Sequence, residues 1–116
     1  MTWTFEIPGP AVGYYTRGAR PNWTRMKQYH HYRDHVVRCA QIAGLRPPLT
    51  ASEASRLRID VRLHSKGRVH PDPENIRKGV VDALFYRAGK SDRYVWGTLW
   101  QTVYDVEPKV IVVVTT

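Results

Sequence analysis

The sequence predicts a single small α/β domain, a mixed β-sheet of about four strands with two main helices, spanning residues 1–116. Three observations predict it. Apolar residues recur alternately at period two and at helical spacing, in the order strand, helix, strand, helix, strand, strand. A length of 116 residues suits one domain with a modest core, for which burial at a subunit interface is an extra source of stability. No internal repeat, low-complexity tract or linker divides the chain.

Trp3, Phe5 and Ile7 alternate with Thr2, Thr4 and Glu6, the pattern of a half-buried strand. After a loop, Tyr29, Tyr32, Val36, Val37, Ala40 and Ala43 recur at helical spacing, with Gly44 as the stop. Pro47-Pro48 then breaks the chain. Leu57, Ile59, Val61 and Leu63 alternate with Arg58, Asp60 and Arg62, a strand whose polar face meets solvent or a polyanion. A second helix is expected from Pro73 to Tyr86, buried along Ile76, Val80, Ala83 and Leu84, with Gly89 at its exit. Thr98–Tyr104 and Lys109–Thr115 read as two strands joined by Asp105-Val106-Glu107-Pro108, an expected hairpin that would make the sheet mixed. Trp96 and Trp100 are expected in the core or at an interface.

The formal net charge is +8. Such a charge fits nucleic-acid, ribosomal and membrane-surface proteins alike, so its distribution matters more than its size. Tyr14, Tyr15 and Trp23 are interleaved with Arg17, Arg20, Arg25 and Lys27, as on a surface that tracks phosphates and stacks on exposed bases. A glycine- and proline-containing loop whose aromatics pack on the domain has the same composition, and both readings stand. The lone Cys39 excludes an intrachain disulfide and is expected to pack as a small apolar residue. The longest aliphatic run, Val110 to Val114, is too short to span a bilayer, and no basic-then-apolar signal opens the chain, so a cytoplasmic protein is expected.

Within this basic chain lies an acidic cluster. Asp72-Pro73-Glu74-Asn75 is followed by Lys78, Asp82 and Asp92. Phosphodiester hydrolysis uses Mg²⁺ or Mn²⁺, hard cations that prefer carboxylate oxygens, and Asp72, Glu74 and Asp92 can supply them. Pro73 disfavours the helical conformation at Asp72, an entry that tends to put Asp72 and Glu74 on one side. The same residues also make a well-formed helix start, with Asp72 as N-cap, Pro73 at the first position and Glu74 on the helix dipole. Glu74, Lys78 and Asp82 would then form a salt-bridge ladder on a solvated face.

The run from His70 to Leu84, followed by Ser91-Asp92 and a strand, resembles the signature of the RusA-like family of Holliday junction resolvases. That signature is an acidic pair one residue apart, an Asn, a Lys three further on, an Asp-Ala-Leu, and paired Asp residues before a strand. Ile7-Pro8-Gly9-Pro10 with Tyr14, Tyr15 and Arg17, and the helix bearing Tyr32-Arg33-Asp34, are similar to the family's opening, so the likeness runs roughly from Ile7 to Val113. The resemblance implies Asp72, Glu74 and Asp92 as Mg²⁺ ligands, with Mn²⁺ a substitute, and Lys78 as a catalytic or phosphate-contacting cation. Asn75 and Asp82 become supporting residues around them. Two positions depart from the pattern. Glu74 stands where Asp is usual, lengthening the arm, and Ser91 replaces the first Asp of the later pair.

The implied activity is Mg²⁺-dependent cutting of four-way DNA junctions by paired nicks, carried out by a homodimer matching the junction's two-fold symmetry. A non-catalytic junction-binding dimer with a weakened metal site, or a less selective branch or flap nuclease, fits the same residues. Other constellations are weak. His31 and His35 have zinc-like spacing but no following glutamate or evident third ligand, and the glycines at 9, 13 and 18 form no phosphate-binding fingerprint, so no nucleotide cofactor is expected.

Overall fold

The computed structural model describes residues 1–15, 20–50, 57–86, 95–97 and 99–116. Its elements are β1 (Thr2–Pro8), α1 (Trp23–Ile42), β2 (Arg58–His64), α2 (Pro73–Phe85), β3 (Leu99–Val103) and β4 (Lys109–Thr115). They form a small α/β domain with one four-stranded mixed sheet, in the order β1-β4-β2-β3, and two helices.

The last two strands do not form the expected hairpin. β4 lies between β1 and β2, antiparallel to both, while β3 pairs with the far edge of β2 in parallel. The reason is in β4 itself. Val110, Val112 and Val114 are fully buried, and Ile111 and Val113 on the alternate face are also half-buried, so β4 is apolar on both sides and belongs inside a sheet. No two-residue turn of the Asn-Gly kind ties it to β3. The connection instead crosses the end of β2, where Ser65 N–H donates to Val103 O and Val106 N–H donates to Ser65 O. The sheet is therefore mixed because of the β2–β3 pair, not because of a hairpin.

Both helices pack on the face formed by Phe5, Ile7, Ile59, Val61, Leu63 and the β4 valines. α1 contributes Tyr32, Val36 and Ala40. Its end is a Schellman motif, with Gly44 at φ +102°, Gly44 N–H donating to Gln41 O and Leu45 N–H to Ala40 O. α2 buries Ile76, Val80, Ala83 and Leu84 as expected, and Gly79, Val81 and Phe85 besides. No described helix is long and apolar enough to cross a membrane.

Of the two tryptophans expected in the core or at an interface, Trp96 is 74% exposed and so lies outside this domain's own core, while the side chain of Trp100 lies outside the described residues. Gly97, at φ +130°, allows the chain to press against β2, since a Cβ there would meet Ile59 O at 1.8 Å. On the polar face of β2, Arg58 Nε donates to Asp60 Oδ2 at 2.7 Å, so Asp60 is buried beside its own strand's arginine instead of facing solvent. Cys39 is half-buried in α1, and burial raises its thiol pKa, in keeping with a packing role.

Candidate metal and phosphodiester site

The site begins with how α2 starts. Asp72 has an extended backbone, φ −53° and ψ 129°, as a residue before proline should, and Pro73 opens the helix. Asp72 Oδ1 accepts hydrogen bonds from Glu74 N–H at 2.9 Å and Asn75 N–H at 3.4 Å, so the N-cap reading holds. It does not displace the other reading, because a carboxylate has two oxygens and one of them does the capping. Asp72 and Glu74 line one open cleft of about 580 Å³ together with Asn75, Arg77, Lys78 and Val81. The two acids thus share a cavity with two cations.

The salt-bridge ladder does not form. Lys78 Nζ sits 4.6 Å from the centre of the Tyr14 ring, a cation–π contact, with no ion pair to Glu74 or Asp82. Asp82 Oδ2 instead accepts a short hydrogen bond from Tyr29 Oη, linking α2 to α1. Desolvation by burial, followed by this bond to a carboxylate, raises the Tyr29 phenol pKa. Asp82 lies outside the cleft's lining, so it supports the packing behind the site and contacts nothing within it.

Asn75 holds the site's other wall. Its side-chain amide donates to Tyr14 O at 3.4 Å, and its backbone carbonyl accepts from Tyr14 N–H at 3.0 Å. The loop after β1 is thereby pinned along α2. Two glycines permit the approach: a Cβ on Gly13 would meet Pro71 Cβ at 3.2 Å, and one on Gly79 would meet Tyr29 Cε1 at 3.3 Å and Tyr14 N at 3.4 Å. Sequence reasoning passed over Gly79, although a glycine inside an amphipathic helix is a signal of close packing. It also missed Arg77, which lines the cleft with a buried Nε that has no hydrogen-bond partner. The adjacent cations Arg77-Lys78 one turn after an acidic pair were the available clue.

The aromatic and basic segment divides. Tyr14 packs on the domain, edge-on to Tyr29 with centroids 5.4 Å apart. Tyr15 accepts from Asn22 N–H at 2.6 Å and lies under the Arg25 guanidinium, 5.1 Å from the ring centre. Arg20, Trp23, Arg25 and Lys27 are exposed. Arg17 lies outside the described residues, as do Ser91 and Asp92. The structure therefore brings Asp72, Glu74, Asn75 and Lys78 together, and the third expected carboxylate is in a segment it does not describe.

The donor set fits a hard divalent cation. Mg²⁺ is commonly bound through one or two carboxylates, with waters and substrate phosphates completing the shell, and Asp72 and Glu74 offer such a pair in an open cleft. Among the described residues no group of three His, Cys, Asp or Glu side chains converges, which leaves His31 and His35 without a zinc-type set.

The fold and the cleft define a small basic α/β domain with a paired-carboxylate site at the start of a core helix. The family model of endodeoxyribonuclease RusA matches residues 12–115 of the 116, and the chain belongs to that family of DNA-cleaving hydrolases. No curated protein matches the sequence.

Proposed function

We propose that the protein is a Mg²⁺-dependent, structure-specific endodeoxyribonuclease that resolves four-way DNA junctions by paired nicks, and that it works as a homodimer. The observation that carries this reading is the convergence of Asp72 and Glu74 with Arg77 and Lys78 in one open cleft of a chain from a DNA-cleaving family. Asp72 Oδ2, Glu74 and the Asp92 carboxylate would hold the metal, which when bound supplies Lewis acidity toward the phosphate and a more acidic attacking water. Lys78 faces the cleft from α2, and its ammonium would neutralise charge building on the phosphate in the transition state. The unpartnered Arg77 adds a planar donor suited to phosphate oxygens. Breaking the P–O3′ bond leaves 5′-phosphate and 3′-hydroxyl ends.

A nick requires one site and a junction requires two. A C2 dimer presents two equivalent sites with the symmetry of the branched substrate. The exposed cations Arg20, Arg25 and Lys27, with Tyr15 and Trp23 beside them, would supply phosphate contacts and stacking surfaces around each site. The test is a panel of synthetic DNAs in Mg²⁺: four-way junction, flap and linear duplex at equal concentration. Symmetric nicks on opposing strands of the junction, with little cutting of the others, are expected. Equal cutting of junction and flap with little of the duplex would overturn the junction assignment and leave a general branch nuclease, and equal cutting of all three would leave a nuclease with no structure selectivity.

A further inference from the structure

A second cleft, of about 260 Å³, shares Asp72 and Asn75 with the first. We propose that it is a nucleobase subsite, holding the base of the nucleotide next to the scissile phosphate and setting the base preference of the cut. The inference rests on the nuclease reading for the position of that phosphate, and it gives a role to Gln28 and Pro71, which that reading does not use.

The cleft is built from three segments: the loop after β1, the first turns of α1, and the start of α2. Asp72 and Asn75 line both this cleft and the one at Glu74, so a strand with its phosphate at the acid pair would place a neighbouring nucleotide here. Its walls suit a base. Tyr15 provides an aromatic face, held in place where its hydroxyl accepts from Asn22 N–H, and Asn22 in turn caps α1 by accepting from Arg25 N–H at 3.1 Å. The Arg25 guanidinium lies over the Tyr15 ring, 5.1 Å from its centre, and an arginine plane can itself accept a base by stacking. Pro71 adds an apolar surface to the lining.

The cleft also has a group able to read an edge. Gln28, one turn after Arg25, lines it with an amide that makes no hydrogen bond within the described chain. A free amide offers a donor and an acceptor together, the pair that recognises an adenine edge bidentately and other bases less well. The size argues for one nucleotide at most, since the volume lies below the range of about 300–1,000 Å³ typical of pockets for drug-sized ligands. A base is most available for such reading where stacking is interrupted, as at a branch point.

The experiment measures cutting of four-way junctions carrying each of the four bases at each nucleotide flanking the nick, for the native chain, Gln28→Ala, Tyr15→Leu and, as a control at the far end of α1, Gln41→Ala. The native chain and the control are expected to share one base preference, and Gln28→Ala to reduce the ratio between best and worst base by about tenfold, the size of one bidentate contact. Tyr15→Leu should weaken use of all four bases together. An unchanged ratio in Gln28→Ala, with cutting intact, would overturn the subsite and leave the nuclease reading standing. If the native chain cuts none of the junctions, the nuclease reading fails separately, and base selectivity is then read from binding of the same junctions in Ca²⁺. There, loss of selectivity in Gln28→Ala supports the subsite, and its persistence overturns it.

Discussion

The two ends of α2 use the same chemistry for opposite purposes. At the N-terminal end Asp72 and Glu74 face an open cleft beside Arg77 and Lys78, and one Asp72 oxygen caps the helix. Ten residues on, Asp82 is bound to the buried Tyr29 hydroxyl and lies outside that cleft's lining. Between them Ile76 and Val80 are buried against the sheet. One helix thus carries the proposed site at one end and a packing anchor at the other, and a carboxylate's surroundings differ between the two in a way its spacing along the helix does not foretell.

The strongest way to break this comparison is to neutralise each acid separately. Asp72→Asn should lower junction cutting by at least about 100-fold, the scale on which loss of transition-state charge stabilisation is felt, while stability changes by only a few tenths of a kcal/mol because Asn caps a helix about as well as Asp. Asp82→Asn should do the reverse, losing stability in urea titrations while cutting persists below the midpoint. A variant pair that fails to separate in this way would show that the two ends are not distinct.

Two substitutions sharpen the anchor. Leu84 is fully buried, so Leu84→Ala should cost about 2–5 kcal/mol in denaturant unfolding. Tyr29→Phe deletes the donor to Asp82 and should cost about 1–3 kcal/mol, since a partly buried carboxylate is left without its partner. In both variants the residual folded protein should bind the metal as the native chain does, which Mn²⁺ relaxation titration would check.

The smallest effect concerns the sheet, away from both ends. Desolvation, reinforced by the nearby Arg62 and Lys109 cations, holds the His64 pKa below the ordinary histidine value. The unfolded chain then binds the proton more readily than the folded one. Stability from this group is present above about pH 6.5, the unperturbed value, and is lost as pH falls through the folded pKa. An NMR titration should place the His64 midpoint below the ordinary histidine value.

How much of this was legible in the sequence follows from the range of each interaction. Local signals carried: Asp72-Pro73 as the helix start, Gly44 as its counterpart on α1, and the alternation of β1 and β2. Pairings between distant strands did not. The insertion of β4 between β1 and β2 depends on its being apolar on both faces, a pattern that Lys109–Thr115 displayed and that the hairpin expectation overlooked. The acid pair was readable because its spacing is local and the family signature repeats it. The ladder failed because Tyr14 and Tyr29, remote in sequence, claim Lys78 and Asp82. Arg77, Gly79 and Gln28 gain their roles only once the loop after β1 is laid along α2.

The most direct test of the central claim is the rate of junction cutting by the native chain as Mg²⁺ is titrated from zero, with binding of the same junction followed in parallel. The acid-pair account predicts junction binding at every metal concentration and paired nicks that appear only with Mg²⁺, or with Mn²⁺ in its place. Tight junction binding with no cutting under either metal would contradict it and leave a DNA-binding protein in which the Asp72–Glu74 pair serves only to start a helix.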